Sequence, residues 1–320
     1  MKNFVIVVLR SISRNIVNLL KLDVLAGKIG LFTPRVIRWV DGGLASQMLM
    51  FAQGYVVAKK HGLPLYLVLD WFASSSRDIL GNKNRFFLLF DVFPEIKSKY
   101  ENHVVTKRSI PWLFRQLFSD EHDSQELLIF GSSKNYSRSV YLHRYRAEGM
   151  NWFISEISDL KRMFNFNPQL SLEENAIFEC IRSTVSCAIH IRKGDFVGSM
   201  HDVCSDSYYL KSVMLIQEKY PECVFYVFSN DEDYANNLLN KANCKFKILT
   251  GRNEENPVVD LWLMMQCKHA IISNSGFSLV AALLTYSEEK TVIMPRFWYT
   301  GKYKEQSECI NQLPGWHCLD

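Results

Sequence analysis

The sequence predicts an α/β protein built from two Rossmann-like domains. Three observations lead to this prediction. From residue 186 onward, short apolar runs alternate with segments whose apolar residues recur at helical spacing, as in a doubly wound parallel sheet. A strand, a glycine turn, a helix and a second strand follow one another over 35–70. The length of 320 residues also exceeds one ordinary domain of about 100–200 residues.

In the first domain the predicted elements form one βαβ unit. A β-rich run over 35–40 ends at Asp41-Gly42-Gly43, helical spacing covers 47–60, and 64–70 supplies the next strand. A further strand is predicted over 127–131.

The second domain is predicted as a regular alternation that follows two helices over 154–164 and 173–182. The expected strands are 186–191, 223–229, 245–249, 269–273 and 290–294, and the expected helices are 207–219, 231–241, 258–268 and 277–286.

The predicted limits are 1–34 for a basic amphipathic N-terminal extension, 35–165 for an N-terminal α/β domain and 166–320 for a C-terminal Rossmann-like domain. Residues 1–40 carry a net charge of +6. The apolar run 4–9 is far shorter than the ~20 residues of a membrane span. The extension fits an ordinary surface helix, which we favour, or a helix in reversible contact with an anionic membrane.

Composition and cysteine spacing narrow the class of protein. A hydrophobic content of 48% argues against disorder, and a net charge of +4 with its excess at one end argues against a nucleic-acid binder. All eight cysteines lie from Cys180 onward, with no CxxC or Cys/His ligand spacing. We therefore expect no metal site, and a reducing compartment, most simply the cytoplasm.

The segment AIHIRKGDF (188–196) is the most informative stretch, because a buried strand runs directly into a turn with two cations and a carboxylate. In an open α/β sheet, ligands bind beyond the carboxyl ends of the strands. Arginine grips phosphate oxygens with a planar fork, so Arg192 predicts a phosphorylated ligand. The alternative is that Arg192 and Asp195 form a pair that only stabilises the turn.

Several segments in consistent order over about 36–300 resemble one family, the bacterial α-1,2-fucosyltransferases of glycosyltransferase family 11, which use GDP-fucose. DGGLASQM (41–48) is similar to the family's GGLGNQ opening, and HIRKGD (190–195) is similar to its HxRRxD signature. FSND (228–231) resembles a third motif, and DLWLM (260–264) with ISNSGFS (272–278) resembles the closing motifs.

The resemblance implies a GT-B-like fold, in which two Rossmann-like domains face a cleft, with the acceptor on the N-terminal side and GDP-fucose on the C-terminal side. It implies an inverting transfer of L-fucose to the 2-hydroxyl of a terminal galactose. No carboxylate cluster with DxD spacing is found near a strand end, since Asp231-Glu232-Asp233 fits a helix start better, so we expect no metal or other cofactor. The acceptor would be a lipid-linked glycan of O-antigen or surface polysaccharide synthesis. The protein would then make peripheral contact with the inner membrane. No nucleic-acid partner is expected.

For the chemistry, we expect Arg192 to stabilise the charge that accumulates on the departing β-phosphate, with Lys193 adding to the field. Asp195 is a candidate base or the group that orients Arg192, and Glu148 is a second candidate base. The start of the helix after 273 would hold the second phosphate. The predicted donor-binding set comprises Gly42, Gly43, Ser46, His190, Lys193, Ser229, Asn230, Asp231, Asn274, Ser275, Phe277 and Ser278.

Several members of this set also have a purely structural interpretation. Ser275 or Ser278 fits a helix cap, Ser229 to Asp231 fit a cap of the next helix, and His190 fits a core histidine. His201 and Asp202 are further candidate acceptor contacts.

The chain departs from the family pattern at two places, where Ala45-Ser46 replaces Gly-Asn and Leu279-Val280 replaces paired tryptophans. These departures leave open a related nucleotide-sugar transferase with a different linkage, or a sugar- or nucleotide-binding protein with impaired catalysis.

Overall fold

A computed structural model describes residues 34–73, 85–106, 119–122, 139–142, 149–249, 257–285 and 289–320. Contacts between Cα atoms divide the chain into two compact units, 1–146 and 147–320. The predicted domain boundary at 165 lies later in the chain. The predicted N-terminal extension and the predicted strand 127–131 fall outside the described residues.

The first unit contains a five-stranded sheet in the order β3-β2-β1-β5-β4, in which every pair is parallel. Its strands are β1 (Val36–Trp39), β2 (Leu65–Val68), β3 (Val104–Val105), β4 (Ser119–His122) and β5 (Ser139–Leu142). Its helices are α1 (Leu44–His61), α2 (Asp70–Ala73), α3 (Leu89–Val92) and α4 (Pro94–Tyr100).

Helix α1 is apolar around most of its circumference and is largely buried against the sheet. It ends at Gly62, whose φ of 63° lets its N–H reach the carbonyls of Ala58 and Lys59. On β1, the fully buried Arg38 donates to Gln53 Oε1 of α1 at 3.1 Å. The predicted βαβ unit is confirmed.

The second unit contains a six-stranded parallel sheet in the order β11-β10-β9-β6-β7-β8. Its strands are β6 (Ser186–Ile191), β7 (Val224–Ser229), β8 (Lys245–Ile248), β9 (His269–Ile271), β10 (Val292–Pro295) and β11 (Trp316–Leu319). Its helices are α5 (Asn151–Ser155), α6 (Ile157–Met163), α7 (Leu172–Ser183), α8 (Asp206–Lys219), α9 (Glu232–Leu239), α10 (Pro257–Gln266) and α11 (Gly276–Leu284).

This strand order is that of a Rossmann sheet, with its reversal between β6 and β9. The predicted α/β class is therefore confirmed, as is every strand and helix predicted from 173 onward, to within a few residues. Two details differ. The helix predicted over 154–164 is two short helices, because Glu156 leaves helical geometry with φ of −118°. The edge strand β11 was not predicted.

The core of the second unit lies on both sides of β6, all six residues of which are buried. Aromatic side chains of α8, Tyr208 and Tyr209, pack with Ile189, Phe225 and Val227 from the sheet. Among the cysteines, Cys187, Cys204, Cys223 and Cys267 are buried, Cys180 is exposed, and all eight are thiols.

Among the described residues, no helix combines the length and the apolar character needed to cross a bilayer.

Candidate active site

The candidate site lies where β6 ends, next to the reversal of the strand order in the second unit. The connections that follow β6 and β9 run to opposite sides of the sheet, which opens a crevice at the carboxyl ends of these two strands, and ligands of such sheets bind there. The turn 192–196 follows β6, and the segment 272–278 follows β9. The topology therefore brings two of the predicted motifs to one place.

Arg192 and Asp195 form a bidentate ion pair at the mouth of this crevice. Arg192 Nε donates to Asp195 Oδ1 at 3.1 Å, and Nη2 donates to Oδ2 at 2.7 Å. The guanidinium carbon also lies 4.8 Å from the ring centre of Phe196. With 21% and 33% of their side chains exposed, the two charges are held in place yet remain accessible.

Asn230, at the end of β7, ties the turn to the neighbouring strand. Its Oδ1 accepts from the backbone N–H of Lys193 at 2.9 Å, and its Nδ2 donates to Asp195 Oδ1 at 3.4 Å. Gly194 adopts φ of +35°, and a Cβ there would lie 2.9 Å from Asn230 Nδ2. Glycine is needed at 194 both for the backbone conformation and for this close approach.

The ammonium group of Lys193 lies against the segment 202–204. It donates to Cys204 O at 2.9 Å, pairs with Asp202 Oδ1 at 3.4 Å and lies 5.0 Å from the ring centre of Tyr234. These contacts fasten the loop that follows the turn. The contribution of Lys193 to the phosphate field stays a prediction.

His190 joins β6 to the start of α11. Its Nδ1 lies 2.8 Å from Ser273 Oγ and 3.0 Å from Ser278 Oγ, and all three side chains are buried. Burial, and secondly the positive charge of Arg192, lower the pKa of His190 to about 3. The imidazole is therefore neutral at physiological pH and serves as a hydrogen-bonding hub beneath the crevice.

Helix α11 directs its N-terminus toward the same strand ends. Ser275 caps it by accepting from the N–H of Phe277 at 3.3 Å, and Gly276 and Phe277 are half-buried. A helix N-terminus favours negative charge, which is the property that a phosphate-binding role requires. The cap interpretation of Ser275 is thus confirmed, and a role in binding stays a prediction.

The side chain of Asn274 forms hydrogen bonds with other residues of the protein. Its Nδ2 donates to His201 O at 2.9 Å and to Trp298 O at 3.0 Å, while its Oδ1 accepts from Cys204 Sγ at 3.6 Å. It is buried and clamps two loops that are distant in sequence. Sequence analysis could not identify this role, because it depends on long-range contacts.

Asp231 caps α9, and Ser229 holds the backbone of this cap residue. The N–H of Tyr234 donates to Asp231 Oδ1 at 3.0 Å, and the N–H of Asp231 donates to Ser229 Oγ at 3.0 Å. The predicted cap of this helix is confirmed, and binding of guanine or ribose by these residues stays a prediction.

In the first unit, the glycine turn after β1 is built as the motif predicts. Gly42 has φ of +74°, and a Cβ there would lie 3.0 Å from the Cβ of Ser46. The buried Gln47 donates to Gly42 O at 3.0 Å and to Phe86 O at 2.7 Å, and it accepts from the N–H of Leu88 at 2.9 Å. Gln47 therefore shapes the turn and ties it to the segment after 85, a function not assigned to it from the sequence. Gly43 begins α1 as its N-cap.

Glu148 lies outside the described residues. Within the residues that are described, no group of three or more His, Cys, Asp or Glu side chains could hold a metal ion. Metal independence stays a prediction.

The family model described as glycosyl transferase family 11 matches residues 37–320. Among curated proteins, an alpha-1,2-colitosyltransferase of Escherichia coli is 26% identical, with 82% of this chain and 92% of that protein covered. The O-antigen biosynthesis glycosyltransferase WbnK of Escherichia coli is 27% identical, with 83% and 96% covered.

A more distant match is the galactoside alpha-(1,2)-fucosyltransferase 2 of Bos taurus, 27% identical over 58% of this chain and 55% of that protein. Among solved structures, POFUT1 in complex with GDP superposes with a TM-score of 0.50 at 10% identity, covering 82% of this chain and 98% of that one. This likeness concerns the fold alone, and it confirms the predicted GT-B-like architecture of two Rossmann-like units.

Proposed function

Because the chain belongs to glycosyl transferase family 11, we propose that it is an inverting galactoside α-1,2-fucosyltransferase. It would move L-fucose from GDP-fucose to the 2-hydroxyl of a terminal galactose. The observation that carries the proposal is the accessible guanidinium fork of Arg192 at the switch point of the Rossmann sheet. The α-1,2 linkage in the names of two relatives and the GDP of the solved structure support it.

In this reaction the bond from the fucose C1 to the β-phosphate oxygen breaks, and a bond from C1 to the galactose O2 forms. Negative charge accumulates on the leaving GDP as the first bond lengthens. Arg192 would release the two carboxylate oxygens of Asp195 and donate instead to two oxygens of the β-phosphate. Asp195, released close to the reacting carbon, would accept the proton of the 2-hydroxyl.

The same groups would make a divalent metal unnecessary. Arg192 supplies a fixed cation, and the N-terminus of α11 supplies a partial positive charge, where other transferases hold the diphosphate with a metal ion. We propose that the protein uses no cofactor.

The biological context we propose is O-antigen or surface polysaccharide synthesis in the cytoplasm, on a galactose-terminated and lipid-linked glycan. The name of one bacterial relative supports the O-antigen context. A basic segment at 1–40 would give weak electrostatic attraction to an anionic inner membrane.

The test is transfer by the purified protein from GDP-fucose to a panel of β-galactosides, with EDTA present, followed by GDP release and product mass. We expect acceptor-dependent transfer that EDTA does not reduce. Arg192→Ala should lower kcat/KM about 100-fold to 1000-fold, because a preorganised charge on the leaving group is lost. Arg182→Ala is the matched control, since Arg182 forms an exposed pair with Glu179 on α7.

A second candidate function is transfer of a different sugar by the same site, which the colitosyltransferase relative favours. Nucleotide-linked colitose, supplied beside GDP-fucose, separates the two donors by their relative kcat/KM. GDP binding without turnover of either donor would instead favour a binding protein with impaired catalysis. Absence of GDP binding would refute the proposal.

A further inference from the structure

Four aromatic rings form a continuous row that begins at the Arg192 turn. Phe196 stacks on His201 with ring centres 5.0 Å apart and planes 28° apart, and His201 meets the edge of Tyr299 at 5.4 Å. Tyr299 in turn meets Tyr303 at 6.4 Å. We call these four residues the aromatic row, and all of them belong to the second unit.

The two halves of the row come from segments about 100 residues apart, and the protein holds them together firmly. The N–H of Thr300 donates to Met200 O at 2.8 Å. The clamp of Asn274 joins His201 O to Trp298 O, and Ser307 Oγ accepts from the N–H groups of Trp298 and Tyr299 at 3.1 Å each. The row is therefore preorganised and does not depend on a ligand for its assembly.

One end of the row lies at the reaction centre and the other lies in solvent. Phe196 sits under the guanidinium of Arg192, whereas Tyr303 is 42% exposed. Two large apolar side chains beside the row, Val197 and Met200, are 62% and 42% exposed. Exposed apolar and aromatic groups next to a polar reaction centre are typical of a binding surface.

His201 lies in the middle of the row, between Phe196 and Tyr299, and is half-buried. Burial lowers the pKa of His201, which keeps its ring neutral. The centre of the row is therefore an uncharged ring, as the apolar face of a sugar requires.

We propose that the aromatic row binds the acceptor glycan, and specifically the sugar units that precede the terminal galactose. Aromatic faces with a few polar atoms suit the C–H faces and hydroxyl groups of pyranose rings. A row of four rings is longer than one pyranose. The donor contains one pyranose, its fucose, so only the acceptor has further pyranose units to lie along the row, and the GDP affinity of each variant tests whether the guanine ring lies there instead. This inference rests on the proposed function. It extends the acceptor contact expected at His201 to a row of four rings in the second unit, in addition to the acceptor contacts expected on the N-terminal side.

The test compares Tyr299→Ala and Tyr303→Ala with Tyr303→Phe, which keeps the ring, and with Met214→Ala as a control. Met214 is 65% exposed on α8 and lies outside the row. The first measurement is calorimetric binding of a galactose-terminated tetrasaccharide and of methyl β-galactoside to the GDP-loaded protein. The second is the acceptor KM for the same two compounds.

We expect each Tyr→Ala change to weaken tetrasaccharide binding about threefold to tenfold and to raise its KM equally. Binding of methyl β-galactoside and of GDP should stay at the wild-type values. Tyr303→Phe, which keeps the ring, should bind the tetrasaccharide more tightly than Tyr303→Ala, and Met214→Ala should behave as wild type. The inference is wrong if both alanine variants bind the tetrasaccharide like Met214→Ala, if wild type does not bind it, or if affinity for GDP falls in parallel. Tetrasaccharide binding that depends on the tyrosines, without any transfer, would refute the proposed function and leave this inference standing.

Discussion

At the scale of single residues, the carboxylate of Asp195 occupies the guanidinium edge that a phosphate would need. The pair is bidentate in the structure, so in the proposed reaction Arg192 would have to change partners when the donor binds. Breaking this ion pair costs little free energy, because both charges are already partly exposed to water. In the proposed reaction this exchange would also free the carboxylate of Asp195 when the donor binds.

Asp195→Asn separates the two roles of this residue. If Asp195 is the base, turnover falls by about 100-fold or more, because general base catalysis contributes about that much. We expect this loss together with an unchanged or lower GDP dissociation constant, since a carboxylate that competes with the phosphate is removed. A higher GDP dissociation constant would show that Asp195 acts by orienting Arg192.

Gly194→Ala tests the close packing of the turn against Asn230. A Cβ at 2.9 Å from Asn230 Nδ2, on a residue with φ of +35°, must displace the amide that holds Asp195. We expect the free energy of unfolding to fall by about 1–2 kcal/mol and kcat to fall more than GDP affinity. Gly198→Ala is the control, because it has φ of +72° and no neighbouring atom within 4 Å of its added Cβ. Equal effects of the two changes would mean that backbone strain alone is responsible.

At the scale of elements, the alternation of strands and helices after 173 could be predicted almost completely. The strands β6, β7, β9 and β10 are buried on both faces and read as apolar runs, the edge strand β8 (KFKI) alternates, and each helix between the strands shows its own spacing. The edge strand β11 could not be predicted in this way, because WHCL has neither a continuous apolar run nor alternation. It is defined by pairing of Val292 with Trp316 and of Met294 with Cys318.

The site could be predicted only in part for a similar reason. The ends of buried strands can be recognised in the sequence, which is why Arg192, Asp195 and Asn230 could be predicted as candidate site residues. The contacts of Asn274 and of Gln47 join segments far apart in the chain, and the aromatic row joins 196–201 to 299–303. Spacing within one segment carries no information about such pairs.

Asn274→Ala tests the clamp between α11 and the loops that carry the aromatic row. Two buried carbonyls lose their donors, so we expect the free energy of unfolding of the second unit to fall by about 2–4 kcal/mol. The matched control is Asn311→Ala, which also removes a fully buried amide but one without a hydrogen-bond partner among the described residues. Urea unfolding followed by tryptophan fluorescence measures both, and a larger loss in the control would contradict the assigned role.

At the scale of the whole molecule, buried neutral histidines make stability depend on pH. The pKa of His190 is about 3 in the folded protein and about 6.5 in the unfolded chain. As the pH falls below 6.5, His190 therefore becomes protonated in the unfolded chain but stays neutral in the folded protein. The contribution of His190 to the free energy of unfolding is fully present above pH 6.5 and is lost as the pH falls toward 3.

We expect His190 to contribute a loss of about 1.4 kcal/mol for each pH unit between 6 and 4. Burial and nearby lysines lower the pKa of His269 to about 4, so it acts in the same direction. The measurement is urea unfolding at pH 7 and pH 5 for wild type, His190→Gln and the exposed-site control His317→Gln. His190→Gln should lose less stability on acidification than wild type, and identical losses in all three would contradict the prediction.

The distribution of thiols gives this molecule a built-in chemical reporter. Every cysteine lies in the second unit, and residues 1–146 contain none. In the native state a chromogenic thiol reagent should react readily with the exposed Cys180, whereas burial shields Cys187, Cys204 and Cys267 and raises the pKa of their thiols. The rate at which these buried thiols react would measure how fast the second unit, which carries the candidate site, opens. The first unit would contribute no signal.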